Sequence, residues 1–462
     1  MFKKIKNKYI GDKSFYRKYI ILAVPMIIQN FITNFVSLLD NIMVGQLGTE
    51  QMTGVAIINQ LMMVFALAIF GVTAAAGIYG AQFYGKGDKQ GHMYTFRFRL
   101  YSSLLVAIIA IFIFATFGHE LIDLYLTESS SSASLDLAHS SAWNYLLIML
   151  IGLIPFALTQ AYASILKETG ETFVPMLAGL FGVILNIIFD WLLIFGIGPF
   201  PVMEIKGAAI ATVMARFIEC LIVMVWTHKN HHKNHFLTGA FTGIGLPMSL
   251  FGQIMKKGTP LILNEIMWSL GMTSLVQNYS VRGLDVIAAI NIANTINNLF
   301  NIVFVQLGAC IGIIVGQHLG AGELEEAKDK DNKMIAFSVA CCTVMAIFML
   351  LTRKLFPNLY NTSEDIKVLA AQFMAIQAIM MPFFSFSHCC YFTLRAGGKT
   401  FVTILFDSVF TWVVMVSTSF ILTRFTGLDI VTIYAIVNAT EFIKNFMGYK
   451  MVKSDVWLET II

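Results

Sequence analysis

Four carboxylates interrupt stretches of the chain that are otherwise strongly apolar: Asp40, Asp190, Glu265 and Asp407. An ionised side chain at the centre of a hydrocarbon layer costs about 2.5–3.5 kcal/mol by insertion measurements. Such groups occur where they bind an ion, carry a proton or pair with another charge. These carboxylates are therefore candidates for an ion or proton site.

Asp190 belongs to a short pattern in which Asn186 lies four residues earlier. That spacing puts both side chains on one helix face, a turn apart. Asp40 lies near the end of the first apolar run, and the topology below places it at the same outer side. If the two aspartates share a pocket, low dielectric favours a proton on at least one of them. A hard cation with oxygen ligands would neutralise them equally well.

Polar side chains also recur at helical spacing in three of the apolar runs, so one polar face of each helix looks into the protein. They predict a cavity for a substrate, and the alternative is hydrogen bonding that holds helices together. The candidate cavity residues are Gln29, Asn30, Asn34, Glu265, Asn291 and Asn294.

Other polar groups favour structural interpretations. Arg216 and Glu219, at i and i+3, predict an ion pair, and Asp407 is expected to reach the cytoplasmic headgroups. The segment 227–257 contains a dense histidine cluster, and we interpret it as a solvated linker, with metal binding as the alternative. The six cysteines lie in apolar runs without zinc-ligand spacing, so we expect small buried side chains.

Composition indicates the elements that must position these groups. The chain is 57% hydrophobic and 13% charged, whereas soluble domains carry about 25% charged residues. The net charge of +4 is dispersed, which argues against nucleic-acid binding. Runs long enough to cross a bilayer predict an all-α polytopic membrane protein with twelve transmembrane helices near residues 18–44, 53–81, 93–118, 139–163, 171–197, 205–226, 253–280, 286–316, 332–352, 366–392, 400–424 and 428–451.

Most of the 31 Lys and Arg residues fall at the termini and in alternate loops. Positive charge concentrates on the cytoplasmic side of membrane proteins. We therefore expect a multi-pass protein of the bacterial inner membrane with both termini in the cytoplasm. Lys444 is counted here with the basic C-terminal end.

The chain also repeats itself. Pro25 corresponds to Pro260, and the pattern Gly77, Gln82 and Gly85 corresponds to Gly312, Gln317 and Gly320. Each half holds six predicted spans, so the halves form a parallel repeat that can enclose a cleft and rock. The predicted domains are an N-terminal lobe over 1–226, a cytoplasmic linker over 227–252 and a C-terminal lobe over 253–462.

Several segments resemble signatures of the multidrug and toxic compound extrusion (MATE) family over essentially the whole chain. They are Met43 to Gly48, Gly77 to Asp88, Leu166 to Phe173 and Gly207 to Thr212. The resemblance implies two six-helix pseudo-symmetric lobes. It also implies a secondary active multidrug exporter that antiports amphipathic or cationic small molecules against protons or sodium by alternating access.

Within the family, the N-terminal lobe is similar to the DinF-like branch. That similarity implies a proton or sodium site at Asp40, Asn186, Asp190 and Thr212, and a bend of the first helix at Pro25. Glu265 resembles the acidic residue of the seventh helix in NorM-type members. Those members usually add an aspartate in the tenth helix, where this chain carries His388 and no carboxylate.

Two alternatives remain open at this point. One is a related flippase for a lipid-linked oligosaccharide, against which the scarcity of basic residues within the spans weighs. The other is a membrane-embedded enzyme, although no metal-hydrolase motif is present. The sequence contains no P-loop motif, which argues against transport driven by ATP. We expect no enzymatic activity and no cofactor. The expected partners are small organic molecules, the ion and the bilayer, and the chain is expected to act as a monomer.

Overall fold

The computed structural model describes residues 8–126, 132–243, 245–360 and 362–462, with the side chains of 36–38, 41, 42, 132 and 133 left aside. These ranges are almost entirely helical and contain no β-strand, which confirms the predicted all-α class. The helices are α1 Lys13–Gly45, α2 Thr49–Lys86, α3 Lys89–Asp123, α4 Ser132–Ile151, α5 Leu153–Glu168, α6 Phe173–Phe195, α7 Glu204–Lys229, α8 Met248–Ser280, α9 Leu284–Gly320, α10 Leu324–Thr352, α11 Glu364–Ala396, α12 Thr400–Ile404, α13 Ser417–Phe425, α14 Ile430–Ala439 and α15 Glu441–Lys453.

All twelve predicted spans fall on helices. Among the described residues, nine helices are long and apolar enough to cross a membrane, counting Thr400–Phe425 as one, and α4 with α5 forms a tenth candidate bent by 47°. Gly152 stands at that bend, and Pro155 has no N–H to donate to the carbonyl four residues earlier. The two remaining predicted spans are not among these candidates, because α8 is less apolar and because α14 and α15 have only 10 and 13 residues.

The chain divides into two compact units. The N-unit contains residues 24–80 and 89–252, and the C-unit contains residues 1–23, 81–88 and 253–462. Each unit has its own apolar core, built in the N-unit around Ile58, Leu146 and Ala209 and in the C-unit around Phe373 and Val437. The histidine-rich segment 227–252 belongs to the N-unit.

Part of that segment is packed rather than solvated. Phe236 is 1% exposed and contacts the ring of Phe96 on α3. The Arg97 guanidinium, also on α3, donates hydrogen bonds to the carbonyls of Gly239, Ala240 and Gly245 at 2.6, 2.9 and 2.5 Å. The interpretation as a solvated linker is therefore wrong for Phe236, Leu237 and Ala240, which are buried, whereas residues 241–243 and 245 are exposed as predicted. Among the residues described, no group of three metal-ligating side chains is present.

We predict that Arg97→Ala loosens this segment. Hydrogen bonds to a charged group contribute about 1.5–3 kcal/mol each, and the substitution removes three of them. Proteolytic cleavage within residues 239–245 should accelerate about tenfold or more, measured by limited proteolysis and mass spectrometry. Lys229→Ala, at an exposed position on α7, should leave the cleavage rate unchanged. Equal rates in the two variants would contradict this assignment.

The repeated glycines make a close contact within the C-unit. A Cβ atom on Gly85 would lie 1.8 Å from the carbonyl oxygen of Gln317, and one on Gly320 would lie 1.9 Å from that of Gln82. Each repeated glycine thus packs against the glutamine of the other copy. Only glycine permits this approach of two backbones, which explains why the pattern occurs twice in the sequence.

Candidate functional site

The N-unit contains a cavity of about 350 Å³ whose wall includes two of the carboxylates. Five helices contribute to it, which are α1, α2, α4, α6 and α7. The lining residues are Asp40, Val44, Val55, Asn59, Tyr145, Met149, Asp190, Ala208, Thr212 and Arg216.

Small residues on α7 bring it close enough to α6 to complete this wall. A Cβ atom on Gly207 would lie 2.7 Å from the carbonyl oxygen of Leu193 on α6. The next turns of α7 carry Ala208 and Thr212, which therefore reach the cavity beside Asp190. The small residues within 207–211 allow α7 to pack closely against α6.

The two aspartates of the cavity lack donors for most of their oxygen atoms. Asp190 is 1% exposed, and neither of its carboxylate oxygens accepts a hydrogen bond from a described group. Oδ1 of Asp40 is also buried and accepts no hydrogen bond from a described group. The two carboxyl groups line the same cavity, so they repel each other when both are ionised. Like charges about 4 Å apart repel by about 4 kcal/mol at an effective dielectric constant near 20. A bound cation or proton would relieve both the repulsion and the unmet acceptor capacity.

Arg216 is a cavity residue, contrary to its prediction as a purely structural partner of Glu219. That pair is not among the ion pairs of the described residues. Instead the guanidinium lies 5.2 Å from the ring of Phe156 and lines the cavity, and one of its η nitrogens has no hydrogen-bond acceptor. Ala208, Thr212 and Arg216 follow each other at intervals of four residues, a signal that could have placed Arg216 on the same face.

The other predicted ion-site residues are placed as follows. Thr212 lines the cavity, whereas Asn186 does not. Asn186 is 4% exposed, lies one turn before Asp190, and its amide nitrogen has no hydrogen-bond partner. Tyr145 was missed, because nothing in the sequence distinguishes it from other aromatic residues in apolar runs.

Pro25 is buried within α1, which continues past it to Gly45.

The substrate-cavity candidates on α1 bond mainly to their own helix. The amide nitrogen of Asn30 donates to the carbonyl of Met26 at 3.0 Å, and that of Asn34 to the carbonyl of Asn30 at 2.8 Å. Gln29 donates to the carbonyl of Pro175 on α6 at 3.3 Å. Only the bond of Gln29 joins two helices, as the interhelical alternative requires, and the role of all three residues toward a substrate stays a prediction.

The remaining candidates belong to the C-unit. Asn294 accepts a hydrogen bond from Gln377 at 3.1 Å, and Asn291 is exposed on α9. Glu265 is half-buried on α8 and interacts electrostatically with Arg395 and Asp407.

Asp407 is a buried, paired carboxylate, whereas the sequence predicted a side chain that extends to the cytoplasmic headgroups. Its carboxylate is 17% exposed and forms an ion pair at 2.7 Å with the ammonium of Lys444, which is 8% exposed. Lys444 was assigned to the basic C-terminal end, so the sequence interpretation missed a buried charge on α15. A lysine seven residues inside the last predicted span was the available signal.

The fold and these buried charges are those of a polytopic membrane protein. A model of the MatE family matches residues 25–192 and again residues 260–421. The chain therefore belongs to the MatE family, the multidrug and toxic compound extrusion transporters. The two matches begin at Pro25 and Pro260, the same pair that opens the internal repeat.

Curated relatives and solved structures cover nearly the whole chain. The probable multidrug resistance protein YoeA of Bacillus subtilis is 22% identical over 422 residues, 91% of this chain and 90% of the relative. The probable multidrug resistance protein NorM of Thermotoga maritima is 21% identical over 413 residues, 88% and 86% of the two chains. The structure of an outward-facing multidrug resistance MATE family transporter of the MOP superfamily superposes with a TM-score of 0.85 at 19% identity, covering 96% and 97%.

Proposed function

We propose that this protein is a secondary active exporter that antiports amphipathic or cationic organic molecules against protons or sodium by alternating access. The multidrug resistance names of its relatives support the substrate class. The membrane is the bacterial inner membrane, with both termini in the cytoplasm, and the chain has no enzymatic role.

The single observation that carries this proposal is the unsatisfied carboxylate pair in the N-unit cavity. The wall presents two carboxylates, Asp40 and Asp190, against one guanidinium, that of Arg216. When all three are ionised, one negative charge is in excess. One monovalent cation or one proton would neutralise it. The hydroxyl of Thr212 and the carboxylate oxygens suit sodium, and the amide of Asn186 lies one turn from them.

Ion binding would drive the conformational cycle through this charge. With the cation bound, Asp40 and Asp190 no longer repel, and the packing of α1 against α6 and α7 changes. The two halves then rock, and the substrate leaves on the outer side. One unit charge crossing 100 mV supplies about 2.3 kcal/mol. One pH unit supplies about 1.4 kcal/mol per proton, enough for about a tenfold substrate gradient.

The test is efflux of a fluorescent organic cation from proteoliposomes with pH and sodium gradients imposed separately. We expect one of the two gradients to accelerate efflux, and its collapse by an ionophore to abolish the acceleration. Efflux that responds to neither gradient would contradict antiport. Protein-free vesicles under both gradients control for leak.

A further inference from the structure

A second buried charge cluster lies in the C-unit, away from the cavity described above. The ammonium of Lys444 is 2.7 Å from Oδ1 of Asp407, and the cation also lies 5.3 Å from the ring of Phe406. Glu441, one turn earlier on α15, accepts a hydrogen bond from Ser387 of α11 at 2.5 Å. The cation is thus held between a carboxylate and an aromatic face.

The second oxygen of Asp407 is satisfied as well. The amide nitrogen of Asn264 on α8 donates to Oδ2 at 3.1 Å. The hydroxyl of Ser408 donates to the amide oxygen of Asn264 at 2.7 Å, which fixes the orientation of this amide. Each carboxylate oxygen of Asp407 therefore has a donor from this chain. Asp190 in the N-unit has no donor for either oxygen.

Local backbone geometry supports the arrangement. Asp407 and Ser408 lie in a π-helical turn over Leu405–Val409, and a second follows over Thr411–Val416. π-Helical turns are rare and occur frequently at functional sites. Here the turn carries both residues that meet Asn264, and it belongs to the segment that faces Lys444 of α15.

We propose that the Lys444 ammonium is a built-in counter-ion that stays paired with the carboxylate of Asp407. Asp407 then takes up neither sodium nor a proton, and it does not belong to the site of the exchangeable ion. To free Asp407, the protein would have to leave a buried lysine unpaired, which is strongly unfavourable. The second statement rests on the proposed function, whereas the state of Asp407 does not.

Other ionisable groups face this cluster and must be separated from Asp407 in any test. They are Glu265 of α8, His388, Cys390, Tyr391 and Arg395 of α11, and Glu441 of α15. A paired comparison in which Asp407→Asn is the only difference removes their contribution, because it isolates the bands that depend on Asp407.

The experiment is infrared difference spectroscopy of the purified full-length protein between acidic and alkaline pH. It follows the carbonyl stretch of protonated carboxyl groups. With Asp190→Asn as background, adding Asp407→Asn should change nothing. Adding Lys444→Met instead should create a new titrating carboxyl band of Asp407, which the further substitution Asp407→Asn should remove while any change in the Glu441 band remains. Sodium chloride, compared with choline chloride, should shift the thermal midpoint of the Asp190→Asn protein and its Asp407→Asn derivative equally.

Two outcomes would overturn the proposal. The first is loss of a titrating band, or of a sodium response, on Asp407→Asn in protein that retains Lys444. The second is a Lys444→Met protein that folds without a new Asp407-dependent band. If Lys444→Met fails to fold, the comparison of Asp190→Asn with and without Asp407→Asn still tests the proposal. Lys444→Arg keeps the positive charge and should therefore produce no new titrating band. None of these spectra requires transport, so they stand apart from the outcome of the efflux test.

Discussion

Replacing Asp190 with Asn is expected to abolish ion-driven efflux while leaving the protein folded. Where one proton is the driving ion, export by the wild-type protein should sustain about a tenfold substrate ratio per pH unit. The variant should sustain a ratio of about one, because the excess negative charge of the cavity is gone and no ion is bound. The measurement is the steady-state substrate ratio across proteoliposomes at a fixed imposed gradient.

The controls separate loss of coupling from loss of structure. Asp40→Asn should give the same loss, since it removes the other half of the pair. Asp136→Asn changes an exposed aspartate of the same unit outside the cavity and should transport normally. The thermal midpoint of Asp190→Asn should be unchanged or higher, because one of two repelling carboxylates has been neutralised. Undiminished coupled efflux in both Asp40→Asn and Asp190→Asn would remove these residues from the ion site.

Substituting either repeated glycine of the C-unit should destabilise the protein severely. In Gly85→Ala the new Cβ atom would meet the Gln317 carbonyl oxygen at 1.8 Å, and in Gly320→Ala the Gln82 carbonyl oxygen at 1.9 Å. Backbone atoms cannot move aside as the end of a flexible side chain can. Overpacking typically costs about 1–3 kcal/mol, and a clash with backbone belongs at or above the top of that range. The thermal unfolding midpoint in detergent would report the loss.

Gly252→Ala is the matched control for these substitutions. A Cβ atom at this position on α8 would have no neighbour within 4 Å. Alanine is favoured over glycine in a helix by about 0.8–1.0 kcal/mol, so this variant should be as stable as the wild type or slightly more so. Similar midpoints for Gly320→Ala and Gly252→Ala would show that the close backbone contact contributes nothing.

The helices and the repeat could be predicted because their signals are local. Long apolar runs specify spans wherever the rest of the chain lies, and all twelve predicted spans fall on helices. The carboxylates Asp40 and Asp190 could be singled out for the same reason, since a charge in an apolar run is informative by itself. Their presence in one cavity required the packing of α1 against α6.

The features that the sequence interpretation missed depend on contacts between distant parts of the chain. Asp407 and Lys444 are far apart in sequence, and each taken separately resembles a residue that reaches the membrane surface. Arg216 has an obvious local partner in Glu219, and this partner drew attention away from the spacing that places Arg216 on one face with Ala208 and Thr212. Arg97 lies within the predicted span 93–118, and nothing in the sequence indicates that it binds the carbonyls of residues 239, 240 and 245.

Ion flux recorded in the same vesicles that export the organic cation is the decisive quantity. Wild-type protein should carry protons or sodium in the direction opposite to the substrate, and the double variant Asp40→Asn/Asp190→Asn should carry none. Ion counter-flow that persists in the double variant would mean that the carboxylate pair of the N-unit is not where the driving ion binds.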